Sequence, residues 1–506
     1  MPILTHTVSA YPPCHADSCF MVGIGGCGMS GLARLLRSQG IEVSGTDSVE
    51  SPTTEALGAE GFCIAVGEPP AELPAVCNSL IASAAVSPSH PLMLEANRRG
   101  IPILTYAEAL GRAMQSMTGV AIAGTHGKST TTALLSAALI EADLDPTVIV
   151  GASCPHLPDA QGNATGFRLG AEKIPAGPRA NQPGLLIAEA CEYNRSFHNL
   201  KPVVACIGSV EADHLDVYGS FDAVLDAFRE FAKLLPAGTD DPSRGGTLII
   251  GHDTAHRRDV TRGIDARIET IGFNPAADWS VAFEPTTRHV KLTHKGNFAA
   301  AYTCPMPGDH SALNSAMAFA LADTLGADRE SIVRAFRTFK GIGRRLELIG
   351  DRPMPSGGTV RVYDDYGHHP TEVEMTLRAL RQHERPQDHG GRLVCVFQPH
   401  QHSRTRFLLD DFAAAFGQAD VVIVPNIYFV RDSEAEKHKV SAGDLVDRLR
   451  SRGTRAMHLY PFDAIVEQVE ETCRAGDLLV VMGAGPVWEI ARSFMERAPA
   501  AAPTSV

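Results

Sequence analysis

An apolar run, residues 120–123, passes through Gly124-Thr125-His126-Gly127-Lys128-Ser129-Thr130 directly into a helical pattern carrying Leu134, Leu135 and Leu139. A strand, a glycine turn and a helix in that order commit the chain to an α/β architecture, with helices packed on a parallel sheet. The turn also carries chemistry. Glycines let consecutive backbone N–H groups close around phosphate oxygens, Lys128 neutralises the outer phosphates, and the Ser129 hydroxyl stands where a nucleotide's magnesium is ligated at a helix N-terminus. Ile122 stands where the general G-x-x-x-x-G-K-[ST] pattern has its first glycine, so the form here is G-T-x-G-K-S-T. ATP is the expected nucleotide.

The same order occurs near the start of the chain. Residues 19–22 are apolar, Gly23-Ile24-Gly25-Gly26-Cys27-Gly28 follows, and Met29, Leu32, Ala33 and Leu36 then recur at helical spacing. Asp47 comes after a second strand-like run, 41–44, where a dinucleotide-binding fold places a ribose-binding acid. Gly23, Gly25, Gly26, Gly28 and Asp47 are therefore candidate contacts to a diphosphate-bearing molecule, whose identity the turn alone leaves open.

At 506 residues the chain is too long for one core, and about 150 residues per domain suggests roughly three. The middle segment, from Thr118 to Gly343, shows strand runs at 185–188, 203–207 and 248–250. Glu189 directly follows the first, and Glu211, Asp213 and His214 follow the second, at the strand ends where ligands gather in parallel sheets. Residues 154–183, rich in Gly, Pro, Ala and Asn, predict a long loop or insertion. After Arg344-Arg345, runs at 360–363, 393–397, 421–424 and 478–482 predict another parallel α/β domain. Its strand ends carry the polar clusters 364–370 and 398–406, with Pro370 expected to open a helix. The Ala- and Pro-rich tail after 498 is expected to fray.

Forty-five Lys and Arg against 58 Asp and Glu give a net charge of −13, and no basic run offsets it, so no nucleic-acid partner is expected. The 11 cysteines form no C-x-x-C pair, which excludes a zinc knuckle and predicts reduced thiols rather than a disulfide framework. Residues 1–15 lack the basic-then-apolar pattern of a leader, and no apolar run approaches the about 18 residues of a membrane span. A cytoplasmic protein without membrane insertion is expected.

Seven blocks taken together resemble the Mur ligase family nearly end to end. They are GIGGCGMSGLARLL (23–36), GTHGKSTTT (124–132), Glu189 followed by Ser196-Phe197, VEADHLDVY (210–218), GIGRRLELIG (341–350), DDYGHHPTEV (364–373) and FQPHQHSRTR (397–406). The last two are the specific ones, and they point to the branch that joins L-alanine to the carboxylate of UDP-N-acetylmuramate. The resemblance implies three domains: a Rossmann-like UDP-sugar domain (1–117), a central P-loop ATPase domain with a parallel or mixed sheet (118–343), and a C-terminal Rossmann-like amino-acid domain (344–506). It also implies an acyl phosphate formed at the expense of ATP, in a monomer or homodimer making a peptidoglycan precursor.

Carried onto this sequence, the family makes Lys128, His214 and Arg345 catalytic. It places ATP on Gly124, Thr125, His126, Gly127, Lys128, Ser129, Thr130, His310, Asn314 and Arg345. Magnesium, with manganese as substitute, falls to Ser129 and Glu189, and a second metal to His214. Asp365, Tyr366, His368 and Arg404 shape the alanine pocket, while Gly23, Gly25, Gly26, Gly28 and Asp47 meet the UDP-sugar.

Some positions depart from the family pattern. E-A-D-E-S-D reads Glu189-Ala190-Cys191-Glu192-Tyr193-Asn194, T-N-I-E reads Gly208-Ser209-Val210-Glu211, and Ser311 replaces an asparagine. Gln401 replaces one of two arginines expected beside the amino-acid carboxylate. These leave three alternatives: a relative that adds glycine, serine or a recycled peptide, a degenerate nucleotide-binding module, or a nicotinamide-dependent dehydrogenase resting on the first glycine turn alone.

Overall fold

The computed structural model describes residues 18–70, 72–238, 245–355, 357–430 and 432–497. The expectations for residues 1–15 and for the tail after 498 fall outside the described residues. The chain divides after Ala113 into two compact units.

In the first unit five parallel strands stand in the order Cys63–Val66, Glu42–Asp47, Ser18–Val22, Ser79–Ala82, Ile103–Thr105. The helix Cys27–Ser38 buries Met29, Leu32, Ala33, Leu35 and Leu36, the face expected from its spacing. Each of the leucine and methionine side chains contributes about 1.5–3 kcal/mol on burial, enough to fix which face meets the sheet. The strand order reverses beside Ser18–Val22, so the glycine turn opens at a topological switch point.

The second unit holds two sheets. The larger has ten strands, in the order Asn297–Thr303, His289–His294, Trp279–Glu284, Arg267–Gly272, Thr247–Gly251, Pro202–Ile207, Thr118–Ala123, Leu185–Glu189, Thr147–Pro158, Ala164–Arg168. Its centre is parallel, and antiparallel pairs close both edges. Thr118–Ala123 lies between Pro202–Ile207 and Leu185–Glu189. That order brings the ends of two neighbouring strands to either side of the phosphate loop.

The long loop expected at 154–183 is corrected in its first half. Thr147–Pro158 runs on and turns back through Asp159, which accepts from the backbone N–H groups of Gln161 (2.9 Å) and Asn163 (2.8 Å), into the antiparallel strand Ala164–Arg168. Beyond Ile149 the strand Thr147–Pro158 pairs on one side only, which tolerates the prolines that hid this pairing, and Cys154 and Leu157 anchor it in the core.

The smaller sheet runs Glu347–Pro353, Thr359–Asp365, Leu478–Met482, Leu393–Phe397, Val421–Val424, Ala456–His458, parallel except at its first edge. Leu393, Cys395 and Phe397 enter one core and Val394 and Val396 another, so the sheet is covered on both faces, as a near-continuous apolar run predicts. Pro370 opens the helix Pro370–Glu384 as expected. All the described cysteines are free, and Cys19, Cys154, Cys206, Cys304, Cys395 and Cys473 are buried. No helix among the described residues is long and apolar enough to cross a membrane.

Candidate active site

The helix Lys128–Glu141 starts at Gly127 without a side-chain cap, which leaves its first-turn N–H groups directed at whatever lies before it. Two glycines make that approach possible. Gly124 has φ +137°, and a Cβ there would lie 3.0 Å from the backbone nitrogen of Gly208. Gly127 has φ +79°, and its Cβ would run into the side-chain amide of Asn314. Neighbouring strand ends fix the loop: Thr125 N donates to Ser209 O (2.9 Å), His126 N to Ser209 Oγ (3.1 Å), and Glu211 N to Thr125 Oγ1 (2.9 Å). Ser209, one of the departures, thus anchors the loop through its hydroxyl. Gly127→Ala is expected to weaken ATP binding by about tenfold or more, because the left-handed backbone alone costs a non-glycine about 1–2 kcal/mol. Calorimetric titration with Mg·ATP measures it, with a retained far-ultraviolet circular dichroism spectrum as the control for folding.

Lys128 Nζ donates to Gly124 O (2.6 Å), Thr125 O (3.2 Å) and the two oxygens of Glu192 (3.1 and 2.9 Å). Burial works against its charge, but Glu192 overrules burial and holds the ammonium above the usual lysine range. Glu192 also belongs to a compact donor set with Asp213 and His214, whose ligand atoms lie within 4.8 Å of one another. Two carboxylates and an imidazole suit a hard or borderline divalent cation. His214 stands at φ +54°, and burial pushes its imidazole below the ordinary value, which favours the neutral, ligating form. Glu189 is oriented by Gly151 N (2.6 Å) and adds its charge to the surroundings of Lys128. Ser129 is buried in the first turn of the helix.

The C-terminal sheet delivers three strand ends to this point. The Asp365 carboxylate accepts from Leu346 N and Gly367 N, both at 2.8 Å, so its oxygens shape the turn that carries the neighbouring side chains. Arg344 and Arg345 both lie over the Tyr366 ring, at 5.1 and 4.8 Å. Arg344 is held by Gly483 O (2.5 Å) and by Asp364 (3.3 Å), leaving Arg345 as the arginine of the pair that faces Glu372 (3.9 Å). Burial drives the His368 pKa down to about 4, and its Nδ1 is 3.1 Å from Tyr366 O, which assigns the proton to Nδ1.

Hydrogen bonds join the two halves at this point. His126 Nδ1 meets Glu372 Oε1 (3.1 Å), Thr371 Oγ1 donates to Glu211 Oε2 (2.7 Å), and Arg404 Nη2 donates to Asp213 Oδ1 (3.0 Å). Burial lowers the basicity of His126, but the two carboxylates at its edges, Glu211 at 3.4 Å and the hydrogen-bonded Glu372, win and raise its pKa to about 9. Burial works to raise the Asp213 carboxyl, and Arg404 overrides it, holding the group well below the usual carboxylate range. Gln401 is the buried N-cap of the short helix His402–Phe407, at φ +67°, three residues before Arg404.

The sequence-selected residues therefore gather unequally. Lys128, His214, Arg345, His368, Tyr366, Asp365 and Arg404 converge on the seam between the two sheets. Asn314 lies over Gly127, and His310, at the start of the helix Asp309–Leu325, is pressed by burial to a pKa of about 4. Among the described residues, Glu189 falls outside the two close clusters of His, Asp and Glu ligand atoms, Glu192 with Asp213 and His214, and His126 with Glu211 and His369. In the first unit, Gly25 N donates to Asp47 Oδ2 (2.8 Å), and a Cβ at Gly23 or Gly28 would lie 2.9 Å from Ser83 or Tyr106. Gly26 is the uncapped N-cap of the helix Cys27–Ser38. Sequence reasoning passed over Glu192 and Glu372. Both sit in quoted motifs, and their signal was an acid in the turn after a strand and an acid at the third position of a helix.

Residues 20–118 match the family described as "Mur ligase family, catalytic domain", residues 122–322 "Mur ligase middle domain", and residues 344–485 "Mur ligase, glutamate ligase domain". The UDP-N-acetylmuramate--L-alanine ligase of Sorangium cellulosum is 37% identical over 486 residues, covering 95% of this chain and 96% of the relative. That of Kineococcus radiotolerans is 39% identical over 476 residues, covering 92% and 93%. Among solved structures, the UDP-N-acetylmuramate-alanine ligase of Thermotoga maritima superposes with a TM-score of 0.73 at 23% identity, covering 95% of this chain and 98% of that one. A murein peptide ligase from Psychrobacter arcticus gives 0.67 at 23%, covering 94% and 98%. At that identity both establish the shared fold.

Proposed function

This chain belongs to the Mur ligase family, and from that premise we propose that it joins L-alanine to the carboxylate of UDP-N-acetylmuramate, hydrolysing ATP to ADP and phosphate, in peptidoglycan precursor synthesis. The observation that carries the reading is the meeting of the phosphate-loop half, where Lys128, Glu192, Asp213 and His214 gather, with Arg404 on Asp213 and with Glu372, the carboxylate that Arg345 faces, on His126.

Two anions must meet, the sugar carboxylate and the γ-phosphate. Lys128 and Arg345 offset their repulsion, and the first-turn amides after Gly127 hold the phosphates. A carboxylate oxygen attacks the γ-phosphorus and ADP leaves, giving an acyl phosphate. The amine of L-alanine then adds to the carbonyl, and the tetrahedral intermediate expels phosphate to leave the amide. The donor chemistry of Glu192, Asp213 and His214, with Ser129 and Glu189 beside the loop, fits magnesium, which when bound neutralises phosphate charge. Arg404 keeps further N–H donors for the alanine carboxylate besides those that meet Asp213 and His400. Gly23, Gly25, Gly26, Gly28 and Asp47 are assigned to the UDP-sugar. The functional domains are read as 1–117, 118–343 and 344–506, in a cytoplasmic monomer or homodimer.

The acyl phosphate is tested by labelling the muramyl carboxylate with heavy oxygen. The label is expected in the released phosphate, and phosphate free of label would refute the route. Gln401→Arg is expected to lower the KM for L-alanine by about tenfold, since a charge-assisted contact is worth about 1.5–3 kcal/mol. An unchanged KM in steady-state kinetics would mean that the pocket works with Arg404 alone.

A further inference from the structure

We infer that Glu372 is a positioning residue that fastens the phosphate loop to the amino-acid-binding turn, so that the two halves of the reaction centre are assembled together. The inference rests on the ligase reading for what each half binds, and on geometry for the fastening itself.

Glu372 occupies the third position of the helix Pro370–Glu384, where a glutamate ordinarily reaches back to the N-cap amide and needs one oxygen to do so. Its Oε2 does this, accepting from His368 N (2.9 Å) and His369 N (3.2 Å). The other oxygen, Oε1, points away from its own helix to His126 Nδ1 at 3.1 Å, with Arg345 Nη1 at 3.9 Å. A helix cap does not require that second set of contacts.

The opposite edge of the same imidazole closes the circuit. His126 Nε2 lies 3.4 Å from Glu211 Oε2, and that oxygen accepts from the hydroxyl of Thr371, the residue next to Glu372. One turn of the C-terminal helix thus reaches the ring twice, directly through the hydrogen bond of Glu372 to Nδ1 and indirectly through Thr371 on the carboxylate that faces Nε2 as an ion-pair contact. His126 lies between Thr125 and Gly127, and its own N–H is tied to Ser209 Oγ, so movement of the helix is transmitted to the phosphate loop. Arg345 and His368, assigned to phosphate and amino acid, flank the same carboxylate. One largely buried side chain therefore touches the loop, the junction arginine and the amino-acid turn.

Glu372→Gln keeps the size of the side chain and an oxygen for the cap amides, and removes the charge opposite His126. Hydrogen exchange on the full chain without substrates is expected to become about tenfold faster at residues 124–127, with the strand Thr118–Ala123 unaffected. Faster exchange confined to residues 366–369 would mean that Glu372 is only a helix cap and would overturn the inference. Kinetics gives the second readout. Glu372→Gln and His126→Asn should each lower kcat/KM for ATP, and the double variant should be no slower than the slower single variant, since residues acting through one contact are not additive. Losses that multiply would overturn it. Absence of turnover in the unaltered protein would count against the ligase reading while leaving the exchange result to decide the fastening.

Discussion

Lys128→Ala is expected to lower ATP-dependent phosphate release by about a thousandfold, near the upper range for removing one preorganised charge donor from a transition state. Lys128 is 17% exposed and Glu192 5%, and the pair sits directly over the phosphate loop. In the reaction the ammonium is the fixed cation nearest the loop, and no mobile solvent ion can reproduce its position without reorganising. UDP-N-acetylmuramate binding is assigned to the first unit and should be unchanged by calorimetry. The substitution also leaves Glu192 without its cation, and breaking a buried pair from one side costs about 3–5 kcal/mol. A lower melting temperature is therefore expected. The double variant Lys128→Ala with Glu192→Gln separates the two effects: it should recover stability and stay inactive. Turnover close to the unaltered protein in either variant would remove Lys128 from the phosphate site.

Arg404→Ala is the second large effect. Arg404 is only 7% exposed and reaches across the seam to Asp213. With Gln401 in place of a second arginine, it is the guanidinium left for the alanine carboxylate. Loss of a bidentate, charge-assisted contact worth about 1.5–3 kcal/mol predicts a fall in kcat/KM for L-alanine of about 10- to 100-fold, carried mainly by KM. Arg404→Lys keeps the charge near Asp213 but loses the planar fork, so it should rescue stability more fully than KM. A KM for L-alanine that stays put in both variants would place the amino acid elsewhere.

Much of this arrangement was legible in the chain because its central strands are buried on both faces and read as plain apolar runs. The runs at 185–188, 203–207, 248–250, 393–397, 421–424 and 478–482 all fall in strands. What escaped is local in sequence but decided at long range. The strands from Arg267 to Thr303 include two edge hairpins with half-exposed faces, whose alternation is weaker than a core run. The hairpin at Thr147–Arg168 was masked by prolines at a sheet edge. Glu372 reads as a capping glutamate, and its partner His126 is 246 residues away. Glu192 looked like the survivor of a degraded acidic motif until the fold set it against Lys128. The losses at Cys191 and Asn194 look less damaging once Glu192, Asp213 and His214 are seen to converge. A nucleotide-binding module would need no such cluster facing an arginine from a second sheet.

Phosphate release from ATP and magnesium tests the central claim most directly, measured with and without UDP-N-acetylmuramate and with L-alanine, glycine, L-serine or the muropeptide tripeptide in turn. Release is expected to require the sugar nucleotide and to be fastest with L-alanine. Release driven by the tripeptide, or no release with any acceptor while the sugar nucleotide still binds, would contradict it.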